Sequence, residues 1–131
     1  MAIQYSTTHR TNAMTQLATD IGANAQIIIY TGSMPANVGT AATGTLLVQF
    51  AGNAGGFGTA SAGVLTASAV ANATASGTGT AGYFRINTSG GTAVVQGTVG
   101  TSGADMIVTN TSINSGQTCT FTSLTVTAFG A

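Results

Sequence analysis

The sequence predicts a mainly β domain, an antiparallel β-sandwich of jelly-roll type with one N-terminal α-helix. Three observations carry that prediction. Helical periodicity is confined to residues 6–21. After Gly22 the chain breaks into short β-branched runs separated by Gly, Asn and Ser, the punctuation of antiparallel strands and turns. The 131 residues include 27 Ile, Leu, Val and Phe, enough for one domain with a thin core. A chain of this length buries about two-thirds of its unfolded surface on folding, and it lacks the high net charge typical of disordered chains.

The helix rests on spacing and caps. Arg10, Met14, Leu17 and Ile21 follow the i, i+4, i+7 pattern, with Ala13 and Ala18 beside them, and so form one narrow apolar stripe. Ser6, Thr7 or Thr8 supplies the N-cap oxygen, and Gly22 stands where a left-handed residue ends a helix. His9, Thr11, Gln16 and Asp20 are expected to face outward. So thin a stripe does not hold a helix alone in water, which means it must dock.

Gln26–Tyr30 is a continuous apolar run and reads as a central strand covered on both faces. Pro35 cannot donate to a ladder and ends that segment. Further strands are expected over Thr45–Phe50, Val64–Val70, Ala81–Ile86, Ala93–Val99, Asp105–Thr109 and Thr118–Thr127. In the last, Cys119 and Phe121 sit on one phase and Leu124 and Val126 on the other, which predicts a β-bulge near Thr122–Ser123. Gly52–Gly63 and Ala71–Gly82 are low in large side chains. They read either as surface loops or as small-residue strands packed on a neighbouring subunit.

Charge excludes several functions. Arg10 and Arg85 are the only Lys or Arg residues, so no basic stripe exists to neutralise phosphates and nucleic-acid binding is not expected. Cys119 stands alone, which leaves neither an intrachain disulfide nor a Cys-based zinc site. No stretch approaches the ~18 apolar residues of a membrane helix. Met1 to Tyr5 has neither a basic leader nor an apolar core, so synthesis in a host cytoplasm is expected. A net charge of zero favours association, since soluble monomers usually hold a net charge of about 2–8.

The motifs resolve to structure. Gly77-Thr78-Gly79-Thr80-Ala81-Gly82 matches the G-x-G-x-x-G dinucleotide pattern in letters, but a strand-like Tyr83-Phe84-Arg85-Ile86 follows where the pattern needs a helix. His9 is the only candidate base for a hydrolytic triad. Asp20 lies about 16 Å along the helix axis, too far to orient that imidazole. Neither a catalytic constellation nor a cofactor or metal site is expected. Asp105 reads as a turn acid accepting backbone N–H bonds. Arg85 sits in an apolar strand and invites a partner, either Asp105 or an Asp of a neighbouring subunit. The alternative is a solvent-facing Arg85 whose stem lies over the sheet. Cys119 reads as a small buried hydrophobe.

The segments Ala2–Thr8 with Arg10–Met14, Ile28–Gly32 with Pro35-Ala36, Gly44–Leu47, Gly79–Ile86, Gln96–Asp105 and Gly116–Thr118 resemble a family of small virion proteins of tailed bacteriophages and prophages. The resemblance covers almost the whole chain and is weakest over residues 52–75. By analogy with capsid cement proteins, it implies a jelly-roll-like fold and a head-decoration role on the outer capsid surface. The implied partners are the major capsid protein and further copies of this chain, as a homotrimer or homodimer. Arg10, Met14, Leu17, Arg85 and Asp105 are the structural or interface candidates. A different class, a receptor- or glycan-binding module of a tail or fibre, predicts instead that Tyr5, Tyr30 and Tyr83 cluster in one open groove. A tail-tube or connector component is a third reading.

Overall fold

The computed structural model describes residues 3–130. Ser6 adopts an extended conformation and its Oγ accepts from the His9 amide, which opens helix α1 (Thr7–Ile21). Gly22, at φ 75°, closes the helix by donating to the Ala18 carbonyl. Met14 and Ile21 are buried, and Ala13, Leu17 and Ala18 pack against the core. Thr11 departs from the expected outward face, because its hydroxyl accepts from the Gly63 amide at 2.9 Å.

Eleven strands follow among the described residues: β1 (Gln26–Thr31), β2 (Leu46–Ala51), β3 (Gly58–Ser61), β4 (Val64–Ala67), β5 (Ala73–Thr74), β6 (Gly79–Asn87), β7 (Ala93–Gly100), β8 (Met106–Val108), β9 (Ser112–Ile113), β10 (Thr118–Cys119) and β11 (Phe121–Thr127). The main sheet runs β2-β1-β6-β7-β8-β11-β4-β3, with β9 pairing the start of β6, while β5 and β10 form a separate ribbon. The protein is mainly β, as its sequence predicts.

The expectation of a purely antiparallel sheet needs one correction. β7 and β8 pair in parallel, Val99 opposite Met106 and Gly100 opposite Ile107. Parallel neighbours usually need a crossover of a dozen or more residues. Here the intervening turn is only residues 101–105, and Asp105 ties it shut.

The sheet curls on itself. Four strands separate β2 from β11 in the sheet order, yet the Phe50 and Phe121 rings meet edge to face with centroids 5.1 Å apart. Curling turns one face inward around Ile27, Ile29, Val48, Phe84, Ile86 and Leu124, all essentially without solvent contact. Each such side chain contributes roughly 1.5–3 kcal/mol when fully buried, so a core thin in number is still sufficient. Ile28 points to the opposite face and is also buried, so the central strand is covered on both sides.

The low-complexity stretches contain small-residue strands whose partners lie within the chain. β3 pairs β4 through a two-residue turn at Ala62-Gly63, both with positive φ. β5 pairs β10, and the Ser76 and Gly77 amides cap the outer edge of β2 at the Leu47 carbonyl. In β11 the register slips between Phe121 and Ser123, where the phase change of the apolar residues predicts a bulge.

Candidate interaction surfaces

Helix α1 packs on the β3–β4 hairpin, with Met14 buried in the core, Leu17 packed against it and Arg10 beside the hairpin turn. A side chain at Gly63 would come within 2.8 Å of the Arg10 guanidinium carbon, so the absence of one lets Arg10 lie flat against the turn. The Gly63 carbonyl in turn accepts from the Ala128 amide, which joins helix, hairpin and the end of β11. Arg10 Nε is buried without a hydrogen-bond partner among the described residues.

Arg85 and Asp105 do not pair. Arg85 is 4% exposed; its Nε donates to Gln96 Oε1 at 3.1 Å and its Nη2 to the Thr40 carbonyl. Asp105 is satisfied elsewhere: its Oδ2 accepts from the Thr98 amide at 3.1 Å and from the Thr98 hydroxyl at 3.2 Å. The expected pair with Asp105 fails because the 101–105 turn uses the carboxylate to close it, while Gln96 and the Thr40 carbonyl take up Arg85. A solvent-facing Arg85 is equally ruled out by its burial.

The tyrosines do not assemble one open groove. Tyr30 and Tyr83 stack with centroids 5.2 Å apart, but Tyr83 is fully buried and its hydroxyl both accepts from and donates to the backbone of Thr43. Burial, with Tyr83 alongside, pushes the Tyr30 phenol above its ordinary range, and Arg85 opposes this in part. Burial likewise raises the Cys119 thiol.

Tyr5 lies elsewhere, where the two ends of the chain meet. Its ring stacks on His9 at 5.0 Å and meets Phe129 edge to face at 5.6 Å. Phe129 is 77% exposed and Tyr5 39%, so this is a wet aromatic cluster, and Ile3, two positions before Tyr5 in the chain, is 72% exposed. Sequence reasoning does not assemble it, because Phe129 lies past the last strand and 124 positions from Tyr5. The only local signal is Gly130, whose positive φ turns the chain end back toward Tyr5.

The G-x-G-x-x-G letters belong to strand packing: β6 starts at Gly79 with no helix after it, and a Cβ at Gly82 would overlap the Gly32 carbonyl. Among the described residues no cluster of three or more His, Cys, Asp or Glu could hold a metal ion. No helix in that range is long and apolar enough to cross a membrane. Clefts of about 200 Å³, 320 Å³ and 430 Å³ open at the surface, and a smaller cavity of about 50 Å³ between β1, β2 and the 108–120 segment is lined by Ile29, Phe50 and Cys119. Comparison with known proteins finds no matching family model, curated protein or solved structure.

Proposed function

We propose that this chain is a non-enzymatic structural protein of a phage virion, a capsid decoration protein that stabilises the head lattice through subunit contacts. The observation that carries the reading is the exposed cluster of Tyr5, His9 and Phe129, held in place by the hydrogen bond from the Tyr5 amide to the Gly130 carbonyl. Large apolar side chains gathered at a surface mark interaction sites, and aromatics lead among residues that anchor interfaces. The neutral composition supports the same reading, since long-range repulsion between copies is absent. The mainly β body and the resemblance of its segments to small virion proteins agree with it.

The test is sedimentation of purified protein with capsid shells that lack it. The reading expects saturable co-sedimentation with the shells, weakened about tenfold or more by Phe129→Ser at an unchanged thermal midpoint, as removal of an interface anchor requires. Absence of binding to shells at every concentration would overturn it.

A further inference from the structure

Residues 32–45 form neither helix nor strand and cross the face of the sheet opposite the main core, from the end of β1 to the start of β2. Beneath them lie Ile28, Tyr83 and Arg85, all buried; Ile28 and Tyr83 stand apart from the main hydrophobic cluster. This is a second, small core whose roof is a segment without regular structure.

The roof is held almost entirely by side chains of the sheet. Gln96 Nε2 donates to the Pro35 carbonyl at 2.8 Å, Arg85 Nη2 to the Thr40 carbonyl, and the Tyr83 hydroxyl to the Thr43 carbonyl at 2.7 Å. Within the segment, the one backbone-to-backbone bond runs from the Thr40 amide to the Asn37 carbonyl. Both ends carry a glycine in the left-handed region, Gly32 at φ 83° and Gly44 at φ 80°, and a Cβ at Gly44 would overlap the Thr31 carbonyl. The segment is thus hinged at two points and bonded to the sheet between them.

We propose that residues 33–43 form a strap that opens as one unit over an intact sheet, with Gly32 and Gly44 as hinges and Arg85 as the latch. A buried guanidinium whose partners are an amide and a carbonyl has lost its hydration without gaining a counter-charge. Opening returns that hydration and so offsets part of the lost hydrogen bonding, which leaves Arg85 a weak latch that still holds the strap closed. Segments with few internal bonds and little apolar contact open at lower free energy than the global transition. The open form presents Arg85 and the stacked Tyr30–Tyr83 pair to solvent. This inference does not depend on the proposed role in a virion.

Amide hydrogen exchange on the intact protein tests it. The Thr40 and Thr43 amides donate to Asn37 O and Tyr83 Oη and report on the strap, while the paired amides of β1 and β6 report on the sheet. In the unaltered chain the two strap amides exchange together and faster than the sheet amides. Arg85→Met speeds both about tenfold or more with the sheet amides unchanged, as sub-global opening requires. Tyr83→Phe, which removes a hydroxyl and leaves no cation unpaired, does the same and decides the matter if Arg85→Met does not fold. The proposal is overturned if strap and sheet amides exchange at one common rate, if Tyr83→Phe speeds Thr43 alone, or if a folded Arg85→Met leaves the strap rates unchanged.

Discussion

The Tyr5 amide donates to the Gly130 carbonyl oxygen at 2.7 Å, and the Tyr5 ring fills the space that a side chain at position 130 would need. One residue from each end of the chain therefore fixes the geometry of the other. The exposed aromatic cluster depends on that pairing: Phe129 is held edge-on to Tyr5 only while the following residue turns back at φ 80°.

Gly130→Ala should separate the ends. An L residue in the left-handed region costs about 1–2 kcal/mol before any overlap is counted. The added methyl must also displace the Tyr5 ring. The expected result is loss of the Tyr5–Phe129 contact by proton NMR, with only a small fall in melting temperature, because neither ring belongs to the core. A retained contact would show that the clamp is not needed.

Asp105 closes the short parallel connection between β7 and β8, since Thr98 both donates to its carboxylate and accepts from its amide. Asp105→Ala should destabilise the fold by about 1.5–3 kcal/mol, the usual range for hydrogen bonds to a charged group. Gly97→Ala should act at the same place for a different reason, because its methyl would sit 2.8 Å from both Asp105 Oδ2 and the Phe84 ring. Overpacking of this kind costs about 1–3 kcal/mol. Urea denaturation of both single variants and the double variant checks this, and sub-additive losses are expected of residues in contact.

Tyr30 gives the fold an alkaline limit. Its phenol titrates above the ordinary value of 10.0 in the folded chain, chiefly through burial. Below that value both folded and unfolded chains keep the proton. Above it the unfolded chain releases its proton first, so stability falls as pH rises through the folded value. Urea midpoints compared at about pH 8 and about pH 11 should drop, and Tyr30→Phe should reduce the drop. An equal drop in the variant would remove Tyr30 from the account.

Cys119 is 8% exposed and unpaired, with its thiol raised above 9.0 by burial. Reaction with an aromatic disulfide reagent near neutral pH should be slow in the folded chain and faster by about tenfold or more in urea, because only the thiolate attacks. Equal rates would mean that the site opens readily.

The helix, β1 and the β11 bulge were legible in the sequence because each has a local cause. Ser6 and Gly22 cap the helix, three consecutive isoleucines fill both faces of β1, and the side-chain phase slips between Phe121 and Leu124. The β3–β4 hairpin was not legible, since Ala62 holds a positive φ that alanine seldom adopts and so gives no turn signal. The strap was hidden for another reason: Arg85 reaches Thr40 across 45 positions and Gln96 reaches Pro35 across 61. Those groups meet because β1, β6 and β7 lie side by side in the sheet and the strap leaving β1 is laid over them. Arg85 and Asp105 were individually conspicuous as rare charges, but their actual partners, a carbonyl, an amide and a threonine, are too common in this sequence to stand out.

The most direct measurement of the central claim is a reconstruction of the virion in which this chain is made. The account predicts repeated density on the outer face of the head shell into which residues 3–130 fit, with Tyr5 and Phe129 turned into a contact with the shell or a second copy. A head surface bare of this chain, with its density confined to the tail or absent from the particle, would contradict it.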